Sequence, residues 1–188
     1  MTYSQLESAS DRMAEYLQSL SLAPGDRAAV LFENGIEYVI LFFAVLKAGL
    51  VAVPLDTSLG GDSLARIVAD CGARVLFAQM KFRRKLPELL KENRSIRAVV
   101  CDGAAKTGRE DFHAVTVSSI LGDNSHYSEP HQPGECSQAA QGSPLDLTDN
   151  AGACSPNELA AIFYTSGSTG AGKGVMLSHR NLVSNTIG

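Results

Sequence analysis

Residues 165–174 read Thr165-Ser166-Gly167-Ser168-Thr169-Gly170-Ala171-Gly172-Lys173-Gly174, and five of the ten are hydroxyl residues or lysine. Glycine admits backbone conformations closed to other residues, so successive N–H groups in such a stretch can converge on one anion. The hydroxyls add donors, and Lys173 adds a mobile positive charge. A polyphosphate is the ligand this chemistry fits best. The bland alternative is a flexible glycine- and serine-rich hairpin turn with no ligand, but the density of hydroxyls beside a lysine argues against it.

Gly167, Gly172 and Lys173 also satisfy most of the Walker pattern, in which the lysine is followed by Ser or Thr. Here Gly174 takes that place and has no hydroxyl to offer Mg²⁺. Val175-Met176-Leu177 continues as a strand-like run where a Walker loop winds into a helix, and only fourteen residues follow Gly174. The loop therefore joins strand to strand, and a Walker-type NTPase is the weaker reading. Ser178 is a good N-cap for the next helix. His179, early in that helix, fits local packing or hydrogen bonding better than acid–base catalysis.

Two other groupings invite a chemical reading. His126, His131 and Cys136 recur every five residues, but in a stretch rich in Pro and Gln without a second cysteine pair, so no metal site is expected. Lys81, Arg83, Arg84, Lys85, Lys91, Arg94 and Arg97 face only Glu88 and Glu92 as offsets. A helix so charged can touch acidic lipid or a phosphorylated partner, although a solvated outer face is the commoner role.

The elements that would carry the loop follow from hydrophobic spacing. Leu6, Ala9, Met13, Leu17 and Leu20 stripe a helix over 3–20 that Thr2 or Ser4 can cap. Arg27–Phe32 reads as a buried strand, 35–47 as a helix apolar almost all round, and Leu50–Pro54 as the next strand. Leu64, Ile67, Val68 and Cys71 mark a helix ended near Gly72, followed by a strand over Ala73–Ala78. Phe82, Leu86, Leu89 and Leu90 stripe the basic helix before the strand Ala98–Cys101. Leu159–Tyr164 is a buried strand leading into the loop. This alternation predicts an α/β fold, a mainly parallel sheet flanked by helices. Four of the seven prolines lie between Asp102 and Pro156, where Leu145 and Leu147 are the only aliphatic residues after Gly122 and the charge is acidic. We expect an α/β subdomain over 1–101, a linker or surface segment over 102–156, and the start of a second subdomain over 157–188.

The whole composition narrows the function classes. The chain has 188 residues, 45% hydrophobic and 19% charged, within the range of one globular domain. A net charge of −4 and a pI near 5.5 argue against nucleic acid as the principal partner. The apolar run Val39–Leu46 is far short of the roughly 20 residues that span a bilayer. The first residues lack the basic and apolar regions of a secretory signal. Cys71, Cys101, Cys136 and Cys154 show no Cys-x-x-Cys spacing. A cytoplasmic chain with reduced thiols is expected.

At Tyr164-Thr165-Ser166-Gly167-Ser168-Thr169-Gly170-x-x-Lys173-Gly174-Val175 the sequence resembles the phosphate-binding motif of the adenylate-forming (AMP-binding) enzymes: acyl-CoA synthetases, firefly luciferase and the adenylation domains of nonribosomal peptide synthetases. Thr2-Tyr3-Ser4-Gln5-Leu6 resembles the family's first core motif. Leu46-Lys47-Ala48-Gly49-Leu50-Val51-Ala52-Val53-Pro54-Leu55-Asp56 resembles its second. Met176–Leu182 is most similar to the fatty acyl-CoA synthetase branch. One departure is Gly172, where the family usually has proline. Glycine there frees the loop's exit and raises the entropy lost on closing around phosphate.

The resemblance implies ATP as cosubstrate with Mg²⁺, a carboxylic acid that the branch makes a fatty acid, and coenzyme A as thiol. It places Thr165, Ser166, Gly167, Ser168, Thr169, Gly170 and Lys173 on the β- and γ-phosphates. It also implies later motifs beyond Gly188, including an acidic Mg²⁺ ligand, a ribose-binding aspartate and a lysine in a C-terminal domain. The helix opened by Ser178 reaches Gly188 with no other C-cap signal. We therefore expect the N-terminal portion of an acyl-CoA synthetase, catalytically incomplete alone. The alternative is a non-enzymatic truncated protein that binds nucleotide or a partner.

Overall fold

In the computed structural model, residues 1–103, 113–122, 155–165 and 172–187 are described. His126, His131, Cys136 and Cys154 lie outside them, as do Ser166, Gly167, Ser168, Thr169 and Gly170.

Helix α1 (Tyr3–Ser19) begins at a capping box: Thr2 Oγ1 accepts from Gln5 N at 3.3 Å, and Gln5 Oε1 accepts from Thr2 N at 2.8 Å. Its stripe buries Ala9, Met13 and Leu17 completely. Strands β1 (Arg27–Leu31), β2 (Val51–Pro54), β3 (Val75–Ala78) and β4 (Ala98–Cys101) alternate with α2 (Ile36–Lys47), α3 (Gly61–Cys71) and α4 (Leu86–Glu92). Then come β5 (His113–Thr116), α5 (Val117–Leu121), β6 (Leu159–Thr165), β7 (Lys173–Ser178) and α6 (His179–Ile187).

The seven strands form one sheet in the order β5-β4-β3-β1-β2-β6-β7. Every neighbouring pair is parallel except β6 and β7. The central strands are apolar on both faces because both are covered. Val30, Phe77 and Val100 face α1, α2 and α5 with Met13, Leu17 and Leu41. Leu31, Leu76 and Val99 face α3 and α4 with Leu64, Val68 and Leu89. The expected α/β class and mainly parallel sheet are observed.

Three boundaries differ from the sequence reading. The basic helix is two pieces, a 3-10 turn over Met80–Lys85 and then α4. Pro87 has no N–H to donate, and its ring would crowd the carbonyl four residues back in one continuous helix. The third strand starts at Val75, because Gly72 closes α3 in the left-handed region (φ 62°) and Ala73 N still bonds back to Val68 O at 3.2 Å. Within 102–156, residues 113–122 are not a tether: β5 extends the sheet beside β4, and α5 buries Val117 and Leu121 on the α1 side. Thr116 caps α5, its Oγ1 accepting from Ser119 N at 3.2 Å. The segment 157–188 contributes β6 and β7 to the same sheet as the first hundred residues.

Candidate functional site

Strand β6 starts in the core, with Ala160 and Ala161 fully buried, and emerges at Thr165, which is exposed. It runs parallel to β2, so its end lies on the carboxyl side of the parallel strands, the side on which open α/β sheets bind ligands. The motif stretch follows, and β7 returns antiparallel in the register Thr165↔Lys173, Tyr164↔Gly174, Phe163↔Val175 and Ile162↔Met176. The strand-to-strand character expected of the loop is thus observed, in contrast to a Walker loop.

Cross-strand partners share a face and successive residues alternate faces. Thr165 and Lys173 therefore project to one side, that of Phe163 and the α1/α2 core. Thr165 Oγ1 donates to Lys173 O at 3.5 Å, at the long limit for such a bond. Lys173 is exposed, and among the described residues no carboxylate pairs with it. A hydroxyl and an ammonium on one face suit an anionic group, and this donor set fits a nucleotide phosphate. The remaining sequence candidates, Ser166, Gly167, Ser168, Thr169 and Gly170, lie outside the described residues. Among the described residues, no three His, Cys, Asp or Glu side chains come together to hold a metal ion.

The opposite face is organised by Tyr164. Its ring lies against the bare backbone of β7's beginning: a Cβ added at Gly172 would stand 3.5 Å from Tyr164 Cδ1, and one at Gly174 3.3 Å from Tyr164 Cζ and 2.9 Å from Ile162 Cγ2. The absent side chain at Gly174, read from sequence only as a missing hydroxyl, is therefore also a packing requirement. Tyr164 Oη donates to Asp70 Oδ2 at 2.5 Å, near the end of α3. Burial, and then this bond, raise the phenol above its ordinary ionisation range. Arg27 secures the same end of α3, its Nε donating to Cys71 O at 2.5 Å and its Nη2 to Gly72 O at 3.4 Å. Neither Asp70 nor Arg27 carries a motif signal, so sequence reasoning missed both.

Beyond β7, Ser178 caps α6 as expected. Its Oγ accepts from Asn181 N at 3.3 Å, and Asn181 Oδ1 accepts from Ser178 N at 2.9 Å. His179 is half-buried, and its backbone N–H donates to Glu158 O at 3.1 Å, tying the start of α6 to the start of β6.

Residues 1–188 match the family model described as AMP-binding enzyme. The chain is 32% identical over 184 residues to the fatty acid–acyl-carrier-protein ligase ScoC of Streptomyces coeruleorubidus, covering 96% of this chain and 28% of that protein. It is 32% identical over 183 residues to surfactin synthase subunit 2 of Bacillus subtilis, covering 97% of this chain and 4% of that protein. Its fold is similar to that of the anthranilate CoA ligase AuaEII in complex with anthranoyl-AMP, with a TM-score of 0.71 and 22% identity, over 96% of this chain and 30% of that one. The chain thus spans less than a third of the length of each of these proteins.

Proposed function

The chain belongs to the AMP-binding enzyme family, and from that premise we propose that it is the N-terminal, phosphate-holding portion of an ATP-dependent acid–thiol ligase of the fatty acyl-CoA synthetase type. The observation that carries this reading is the shared face of Thr165 and Lys173 where β6 leaves the sheet. In the proposed reaction a carboxylate oxygen attacks the α-phosphorus of ATP, pyrophosphate leaves, and the acyl group then passes from acyl-AMP to the thiol of coenzyme A. Both partners of the first step are anionic, so fixed donors and positive charge lower its barrier. Lys173, Thr165 and the motif residues Ser166, Gly167, Ser168, Thr169 and Gly170 would hold the β- and γ-phosphates as pyrophosphate departs. Mg²⁺ would supply further charge neutralisation on those phosphates. These are binding residues, and none is assigned a proton transfer.

The fatty acid is supported by the motif over Met176–Leu182 and by the likeness to a fatty acid ligase, and the coenzyme A acceptor by that motif. The equal identity to surfactin synthase subunit 2 favours a second reading in which the acid is of another class, and the acyl-carrier-protein acceptor named for ScoC supports a carrier-protein thiol in place of coenzyme A. A cytoplasmic location is supported by Cys71 and Cys101, both free thiols. No helix among the described residues is long and apolar enough to cross a membrane.

Equilibrium binding of Mg-ATP to the chain tests the proposal. Lys173→Ala removes a charge-assisted contact and is expected to weaken binding roughly 10- to 100-fold, from about 1.5–3 kcal/mol. Equal affinity in the variant, or no binding by the parent, would sink the reading. Carboxylate-dependent exchange of pyrophosphate into ATP is expected to be absent from the 188-residue chain alone, and measurable exchange would show that it supplies more than binding. Phosphate release independent of any carboxylate and lost in Lys173→Ala would instead support an NTPase.

A further inference from the structure

We propose that Asp70 and Tyr164 form a positioning pair that fixes the β6–β7 hairpin on α3 and thereby presents Thr165 and Lys173 together on the opposite face. The inference rests on the phosphate-holding reading for its purpose, and on geometry alone for its existence.

The hairpin needs such a tether. The register of β2 with β6 is the single pair Ala52↔Ala161. From Ile162 to Thr165 the strand is in register with β7 alone, and β7 is the sheet's edge and mostly exposed. A two-stranded ribbon with one free edge is marginal in water without side-chain support. Tyr164 supplies that support twice. Its ring covers the backbone at Gly172 and Gly174, on either side of Lys173, with no side chain intervening at those positions. Its hydroxyl reaches Asp70, on a helix that Arg27 ties to the start of β1 through Cys71 O.

Alternation then does the rest. With Tyr164 and Gly174 held toward α3, Thr165 and Lys173 must point the other way. Asp70 and Tyr164 lie on the face away from the proposed phosphate, so they act through the hairpin and not by touching nucleotide. Loss of the tether would let the hairpin twist about β6 and separate the hydroxyl from the ammonium without disturbing the core strands.

Tyr164→Phe, Asp70→Ala, Asp70→Asn and the double variant Tyr164→Phe/Asp70→Ala test this in the whole 188-residue chain. Tyr164→Phe keeps the ring packing and removes only the donor, and Asp70→Asn keeps an acceptor oxygen. In amide hydrogen exchange, the hairpin amides of residues 163–165 and 173–175 should exchange about tenfold faster in Tyr164→Phe and in Asp70→Ala. The double variant should be no faster than either single, Asp70→Asn should fall between, and β3 and β4 should be unchanged. Mg-ATP affinity should drop about tenfold in step with hairpin exchange while the thermal midpoint stays nearly constant, a split that a general packing defect would not give. Unchanged hairpin exchange, single effects that multiply to about a hundredfold in the double variant, or faster exchange with unaltered affinity would each overturn the proposal. If the parent chain binds no Mg-ATP, the phosphate-holding reading fails, and the exchange comparison alone decides whether the pair exists.

Discussion

At the residue scale, the side chains around Tyr164 explain what a motif pattern encodes beyond its ligand donors. Gly174 is glycine because a Cβ there would press on Ile162 at 2.9 Å, a separation real Cβ atoms do not keep. Gly172 is different: a Cβ would meet Tyr164 Cδ1 at 3.5 Å and Thr165 O at 3.6 Å, both ordinary contacts. The Cβ of the proline that the family resemblance implies at this position would therefore meet the tyrosine ring at ordinary contact distance, and proline would restrict the unfolded chain. Gly172→Pro is expected to raise stability by about 0.4–1 kcal/mol and to tighten Mg-ATP binding. Urea denaturation and calorimetric titration measure the two, and unchanged or weaker affinity would refute the second. Lysine and hydroxyl clustering made the phosphate role of this stretch legible from sequence. Asp70 was not legible, because it stands 94 residues from its partner and looks like any exposed acid near a helix end.

At the element scale, the junctions decide where helices yield to strands. Gly72 ends α3 with φ of 62°, and a Cβ there would stand 2.9 Å from Arg27 Nη2. Gly72→Ala combines left-handed strain of roughly 1–2 kcal/mol with displacement of the guanidinium that bonds the last carbonyls of α3. A destabilisation of about 2 kcal/mol by urea unfolding is the expected result, and a change near zero would mean that Arg27 moves aside freely. The sequence announced such junctions where a residue type favours them: Thr2 or Ser4 before α1, of which Thr2 is the cap, Gly72 after α3, Ser178 before α6. Pro87 was equally visible, yet the apolar spacing of Phe82, Leu86 and Leu89 outweighed it in a reading that follows periodicity alone. The missed elements, β5 and α5, are four and five residues long. Segments that short carry too few repeats for either period to stand out beside an acidic, proline-rich neighbour.

At the scale of the whole molecule, the two-sided core controls how the protein responds to alkali. Cys71 and Cys101 are buried, which pushes both thiols up from about 9 to about 11, and burial also raises Tyr16 and Tyr38. Below pH 9 the thiols are protonated whether the chain is folded or not, so they leave stability untouched. Between about pH 9 and 11 the unfolded chain releases protons that the folded one retains, and stability falls as pH rises. The urea midpoint should decline across that window, and replacing both cysteines with alanine should make the decline shallower. An unchanged slope in the double variant would assign the effect to the tyrosines. The parallel α/β class was readable because strand and helix alternate so regularly through residue 101. The lateral order was not, since nothing local says that β6 will lie beside β2, the strand farthest from β5 among the first five. That order has a consequence for synthesis. As the chain leaves the ribosome, β1 to β4 can assemble from near neighbours, but Val51, Ala52 and Val53 then sit on an open, apolar border of the nascent sheet. Among the described strands it is β6 that pairs with this border, at Ala52↔Ala161, so the hairpin proposed to grip phosphate is also a late-arriving piece that shields the newborn sheet from sticking to others.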